Sequence, residues 1–117
     1  MEIDFSNKKL KNLCEIEREA IKELGSDSAR KLRTRLADLE SVSNVSELVA
    51  GRPHALNPDD LREYSVALAD GKCLVFQPNH DEIPLDKNNK TDWSKVSKVK
   101  IVYIGDYHKP KQKRKTS

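Results

Sequence analysis

The dipeptide Asp70-Gly71 stands between two apolar runs, Leu61 to Ala69 and Lys72 to Gln77. Asp-Gly at such a junction favours a tight turn with positive φ at both central residues, so the runs are predicted to form an antiparallel β-hairpin. With a two-residue loop, Leu68 would face Cys73 and Val66 would face Val75, with Tyr64 on the same side. Leu74, Phe76 and Ala67 would then lie on the other side. One face would take up helices and the other would form a shallow, partly apolar floor.

A hairpin alone is not stable in water, and the chain offers it further strands and a helical cover. The run from Lys100 to Ile104 is β-branched and aromatic, as a buried strand requires, and Gly105 permits a bend at its exit. Asp106, Tyr107 and His108 follow at once, so a rigid strand end would deliver three proton-handling or orienting side chains together. At the other end, Glu2 to Phe5 alternates as a short strand. Ser6 is the expected N-cap of a helix reaching about Leu24, with Phe5 and Leu10 at staple spacing. Its apolar stripe is Leu10, Leu13, Cys14, Ala20, Ile21 and Leu24, and Gly25 ends it.

Ser26-Asp27-Ser28 opens a second helix with the stripe Ala29, Leu32, Leu36 and Leu39, and with Arg30, Arg33 and Arg35 opposite. Two amphipathic helices joined so closely predict an antiparallel pair that needs the sheet to cover it. Asn44 to Glu47 resembles a capping box over one short turn, with Leu48 and Val49 inside and Gly51 closing it. Pro53 should push Arg52 towards extended backbone. Residues 78–97 read as a long polar loop, with Trp93 pinning it to the core. The predicted order is β-α-α-β-β-β: an α+β domain, an antiparallel sheet with a two-helix hairpin on one face.

Composition adds limits. At 117 residues, one domain over 1–108 with a basic tail over 109–117 is expected. The net charge of +3 is unevenly spread. Lys109, Lys111, Lys113, Arg114 and Lys115 crowd the tail, and Arg30, Lys31, Arg33 and Arg35 crowd the second helix. Either cluster suits a nucleic-acid phosphate surface or, more simply, a solvated face. Cys14 and Cys73 fit no CxxC or zinc pattern and read as buried thiols of a reducing compartment. His54, His80 and His108 are too scattered for metal-ligand spacing, so no metal or other cofactor is expected. No signal peptide or apolar stretch of membrane length is visible, which predicts a cytoplasmic protein without membrane contact.

Several short stretches together resemble one family. They are Lys31-Leu32-Arg33, Leu36-Ala37-Asp38-Leu39, Gly51-Arg52-Pro53-His54, Leu74-Val75-Phe76 and Ile104-Gly105-Asp106-Tyr107-His108. In that order they are similar to the HigB-type toxins of the RelE/ParE superfamily, from bacterial type II toxin–antitoxin systems. The resemblance implies a RelE-like fold and metal-independent, ribosome-dependent cleavage of messenger RNA. The 2′-hydroxyl would attack the adjacent phosphate, leaving a 2′,3′-cyclic phosphate and a 5′-hydroxyl. It also implies a HigA-like helix-turn-helix antitoxin, with operator DNA reached only through that partner.

Within that resemblance His108 would donate or accept the proton, Tyr107 would stack or orient the phosphate, and Asp106 would fix the His108 tautomer. His54 would share the acid–base work if its strand lies beside the last one. The family's phosphate-holding arginine and lysine are replaced here by Cys73 and Asn57. Arg52, Arg62 or Lys72 is then left to hold the phosphate, and Arg30, Arg33 and Arg35 to meet ribosomal RNA. Two alternatives stay open: a binding module on the same fold with weak or no catalysis, and a gyrase-directed toxin.

Overall fold

The computed structural model describes residues 1–56 and 62–106. Tyr107, His108, Asn57 and the expected tail of residues 109–117 lie outside the described residues. The elements are β1 (Glu2–Phe5), α1 (Lys8–Glu15), α2 (Glu17–Leu24), α3 (Ser26–Ser41), β2 (His54–Ala55), β3 (Tyr64–Ala67), β4 (Lys72–Pro78) and β5 (Lys98–Asp106). Short 3-10 turns occupy Val45–Glu47 and Trp93–Lys95. The class is α+β, with a five-stranded sheet in the order β1-β5-β4-β3-β2.

The sheet is mixed, which corrects the expectation of an antiparallel one. β1 pairs parallel to β5, with Ile3 opposite Val99 and Phe5 opposite Ile101, while all other pairs are antiparallel. Parallel pairing follows from the long crossover: three helices and three strands separate β1 from its neighbour, and no tight turn constrains them.

The first predicted helix is two. α1 stops at Ile16, whose extended backbone (φ −115°, ψ 104°) separates it from α2. Leu10 and Leu13 before the break and Ala20 and Leu24 after it are all buried. Ile16 and Ile21 are left exposed, so the predicted stripe was correct for its small and leucine positions and wrong for Ile21. The first cap is also shifted by one residue. Asn7, not Ser6, is the N-cap of α1, and its Oδ1 accepts the Leu10 N–H at 2.9 Å. The staple pair therefore does not fall at Phe5 and Leu10, although both pack into the core. α3 runs as predicted, with Ala29, Leu32 and Leu39 buried. In the next turn Leu48 packs against the core as expected, whereas Val49 is 87% exposed and Val45 is the fully buried residue.

The hairpin turn forms as predicted, but its register does not. Asp70 and Gly71 both have positive φ, 56° and 74°, and Lys72 N–H donates to Ala69 O at 3.1 Å. Leu68 N–H, rather than that of Ala69, then donates to Lys72 O at 2.8 Å. Leu68 and Ala69 together thus oppose Lys72, and this extra residue slips the pairing by one. Ala67 faces Cys73, Val66 faces Leu74, Ser65 faces Val75 and Tyr64 faces Phe76. A one-residue slip sends Cys73 and Val75 to the face opposite the one expected.

The helices cover the face carrying Val66, Leu68, Leu74 and Phe76. On β5 a bulge keeps Ile101 and Ile104 on that face although they are three apart: Val75 faces Tyr103, Phe76 faces Ile101, and Val102 falls between. Leu32, Leu39, Leu74, Phe76, Val99 and Ile101 are 1% exposed or less, and complete burial of each stabilises the fold by roughly 1.5–3 kcal/mol. Trp93 does pin the long loop: its ring lies 4.7 Å from that of Tyr64, which stacks on Phe76 at 5.6 Å.

A candidate anion-binding cleft

The face of the sheet away from the helices carries the candidate site. Cross-strand partners share a face, so His54, Ser65, Val75 and Tyr103 form one row across four strands. Ala67, Cys73 and Gly105 form the next row, and Lys72 faces Asp106 at the end of β5. A cleft of about 390 Å³ opens here, lined by Arg52, His54, Ser65, Ala67, Gly71, Lys72 and Cys73. A larger groove, about 720 Å³, runs between β1 and α1. It mixes Lys8 and Lys11 with Asp4 and Glu15 and holds none of the predicted site residues.

Three predicted residues, Arg52 and His54 from one short stretch and Lys72 from the hairpin, meet at this cleft. Arg52 is not extended as Pro53 suggested. Its φ is +50°, directly after Gly51 at +85°. Two consecutive left-handed residues turn the chain sharply, an arrangement costly for arginine and typical of functional loops. His54 Nδ1 donates to the Arg52 carbonyl at 2.7 Å. That bond selects the Nδ1–H tautomer, in which Nε2 carries the lone pair.

The strand of His54 does not lie beside the last strand: β3 and β4 stand between β2 and β5. His54 shares a face with Tyr103 and Gly105 of β5 but stands three strands away from them. Asp106 stands at the rim, exposed, opposite Lys72. The Tyr103 hydroxyl donates to the Asp106 carbonyl at 3.3 Å. Gly105 admits that hydroxyl, since a Cβ there would lie 2.7 Å from it.

Electrostatics separate the rim from the floor. Burial, foremost, and the Asp106 charge raise the Cys73 thiol above its ordinary range, against a lowering hydrogen bond from Ser65. The thiol therefore stays protonated near neutral pH and is a poor nucleophile. Tyr103 is likewise raised, by burial first and then by Cys73 and Asp106. The floor is neutral, and the cations sit at its edge.

The other predicted residues lie elsewhere. Arg30 and Arg33 are on the exposed side of α3, where Arg30 is 3.9 Å from Asp27 and Arg33 pairs with Glu17. Arg35 is not on that face at all: its side chain is 11% exposed and its Nε donates to Ala67 O at 3.0 Å. Arg62 is exposed just before β3 and does not line the cleft. His80 has a structural task, its Nε2 accepting the Ser97 and Lys98 N–H groups at 3.1 and 3.3 Å. Ser65, Tyr103 and the floor position of Cys73 were missed as site features. The signal was present in the matching alternation of Tyr64-Val66-Leu68 with Leu74-Phe76, which favours the slipped register.

No family model, curated protein or solved structure matches the chain. Among the described residues, no helix is long and apolar enough to cross a membrane, and no three metal-ligating side chains cluster.

Proposed function

We propose that the chain is a HigB-type toxin with a RelE-like domain, and that the cleft beside the hairpin turn binds a phosphodiester of messenger RNA at the ribosome. The observation that carries this reading is the convergence of Arg52, His54 and Lys72 on one cleft at the end of the sheet where β5 delivers Asp106. In-line attack by a 2′-hydroxyl needs a proton acceptor, a proton donor and positive charge on the phosphorane. Arg52 and Lys72 would supply the charge. His54, with Nε2 carrying the lone pair, would take one proton, and His108 would handle the other. A helix-turn-helix antitoxin would hold the protein inactive in the cytoplasm.

A second reading is favoured by one specific feature. The family's arginine position is filled by Cys73, buried and protonated at the floor of the cleft. The cleft would then bind phosphate without efficient cleavage, because a thiol cannot stabilise a dianionic transition state.

Purified protein incubated with programmed ribosomes separates the two readings. The first expects cut messenger RNA ending in a 2′,3′-cyclic phosphate, with His54→Gln and His108→Gln each slowing cleavage by roughly 10²–10⁴-fold. Ribosome binding without any cleavage in the wild type leaves the second. Absence of both binding and cleavage rejects the toxin assignment.

A further inference from the structure

We propose that Arg35 of α3 is a positioning residue for the cleft, holding Arg52 and His54 at its mouth from the far side of β3. This deepens the phosphate-site reading and rests on it for its function, but its structural content stands on separate observations.

β3 has an incomplete outer edge. β2 pairs only with Tyr64 and Ser65, so the backbone of Ala67 needs partners elsewhere. Its N–H donates to Gly51 O at 2.7 Å, and its carbonyl accepts Arg35 Nε at 3.0 Å. The guanidinium thus stands where a neighbouring strand would have placed an amide. Asp38 Oδ2, 3.6 Å from Arg35 Nη1, balances the charge from the other side.

Gly51 lies directly against this guanidinium. A Cβ on Gly51 would sit 2.5 Å from Arg35 Nε and 3.1 Å from Cζ. The planar group is therefore packed against the backbone that begins the left-handed turn, Gly51 at φ +85° and Arg52 at +50°. Arg52 in turn gives its carbonyl to His54 Nδ1 at 2.7 Å. One contiguous path runs from the α3 side chain through Gly51 to the cation and the imidazole of the cleft. Lysine cannot replace this arginine, because an ammonium has no flat face to lie against Gly51 and no fork to reach Ala67 and Asp38 together.

The test uses the isotopically labelled full chain and reads the His54 ring nitrogens, the Arg52 amide and the affinity for inorganic phosphate. In the wild type His54 should show the Nδ1–H tautomer set by the Arg52 carbonyl, whereas an unconstrained imidazole favours Nε2–H. Arg35→Lys should move the His54 signals towards Nε2–H, shift the Arg52 amide, and weaken phosphate binding about tenfold, the scale of one lost charge-assisted contact. Arg35→Gln should do the same by removing the charged fork while leaving the left-handed turn at Gly51 intact, and it keeps the test open if Arg35→Lys does not fold. Arg18→Gln, at an exposed arginine of α2, should change neither signal. Folded Arg35→Lys or Arg35→Gln protein with His54 and Arg52 signals like the wild type overturns the proposal. If the signals move as expected but the wild type binds no phosphate, the phosphate-site reading fails and the positioning by Arg35 stands.

Discussion

The two faces of the sheet are made by the same strands, and along β4 they are buried to the same degree. Along β4, Leu74 and Phe76 look towards the helices and Cys73 and Val75 away from them, and all four are 2% exposed or less. The helix side is apolar, with Val66, Leu68, Leu74, Phe76, Ile101 and Ile104 and the Tyr64 ring stacked on Phe76. The cleft side interleaves Ser65, Cys73 and Tyr103 with the cations of Arg52 and Lys72. Burial alone therefore does not tell a core face from a site face. The polarity of whole cross-strand rows does, because a row is the unit in which side chains meet.

The sharpest way to break this comparison is to place the same charge on both faces. Leu74→Arg should abolish cooperative unfolding, since an unpaired buried charge costs several kcal/mol against a total stability of about 5–15 kcal/mol. Cys73→Arg, one residue away, should fold, because its side chain reaches the cleft and water. Under the toxin reading it should also speed cleavage, by restoring a cation where charge develops. Melting curves of the two variants decide it, and equal damage would mean that the faces are not distinct.

Truncation gives the next largest contrast. Phe76→Ala should lose about 3–5 kcal/mol in denaturant unfolding, as a large cavity opens under the helices. Ser65→Ala, on the cleft side, should lose about 1 kcal/mol, the scale of one hydrogen bond.

The two thiols sharpen the comparison through pH. Cys14, which packs against the core from the helix layer, is pushed from 9.0 up to about 12, chiefly by burial and then by Glu15. Cys73 is raised as well, with Asp106 contributing after burial. For a raised acid the unfolded chain loses its proton first, so the stabilisation is complete below pH 9.0 and declines as pH rises towards 12. Cys14→Ala should flatten the fall in melting temperature over that window. Asp106→Asn should alter the titration of Cys73 and leave that of Cys14 unchanged.

The smallest expected effect lies on neither face of the sheet. Arg30→Gln with Arg33→Gln removes two exposed ion pairs of α3 and should change stability by at most about 1 kcal/mol. If this surface meets ribosomal RNA, the same change should make ribosome association less steeply dependent on salt. An unchanged slope removes α3 from the proposed interface.

Much of this architecture was legible in the chain. Local chemistry gave the turn at Asp70-Gly71, the stripe of α3, the end of α2 at Gly25 and the last strand through Lys100 to Ile104, because each depends on neighbours within a few residues. Arg52, His54 and Lys72 were named by their residue types, though nothing in the sequence measured their approach. Tertiary structure alone decided the rest. The extra residue at the hairpin, carried by the Leu68 N–H, chose which side of β4 became core, since a period of two turns a single slip into a change of face. The break at Ile16 made two short helices where one long helix was expected. Arg35 looked like one more surface cation on a basic helix. It became a buried prop because the edge of β3 left the Ala67 carbonyl to be paired and Gly51 left room for a guanidinium, two needs that arise only once distant segments are packed together.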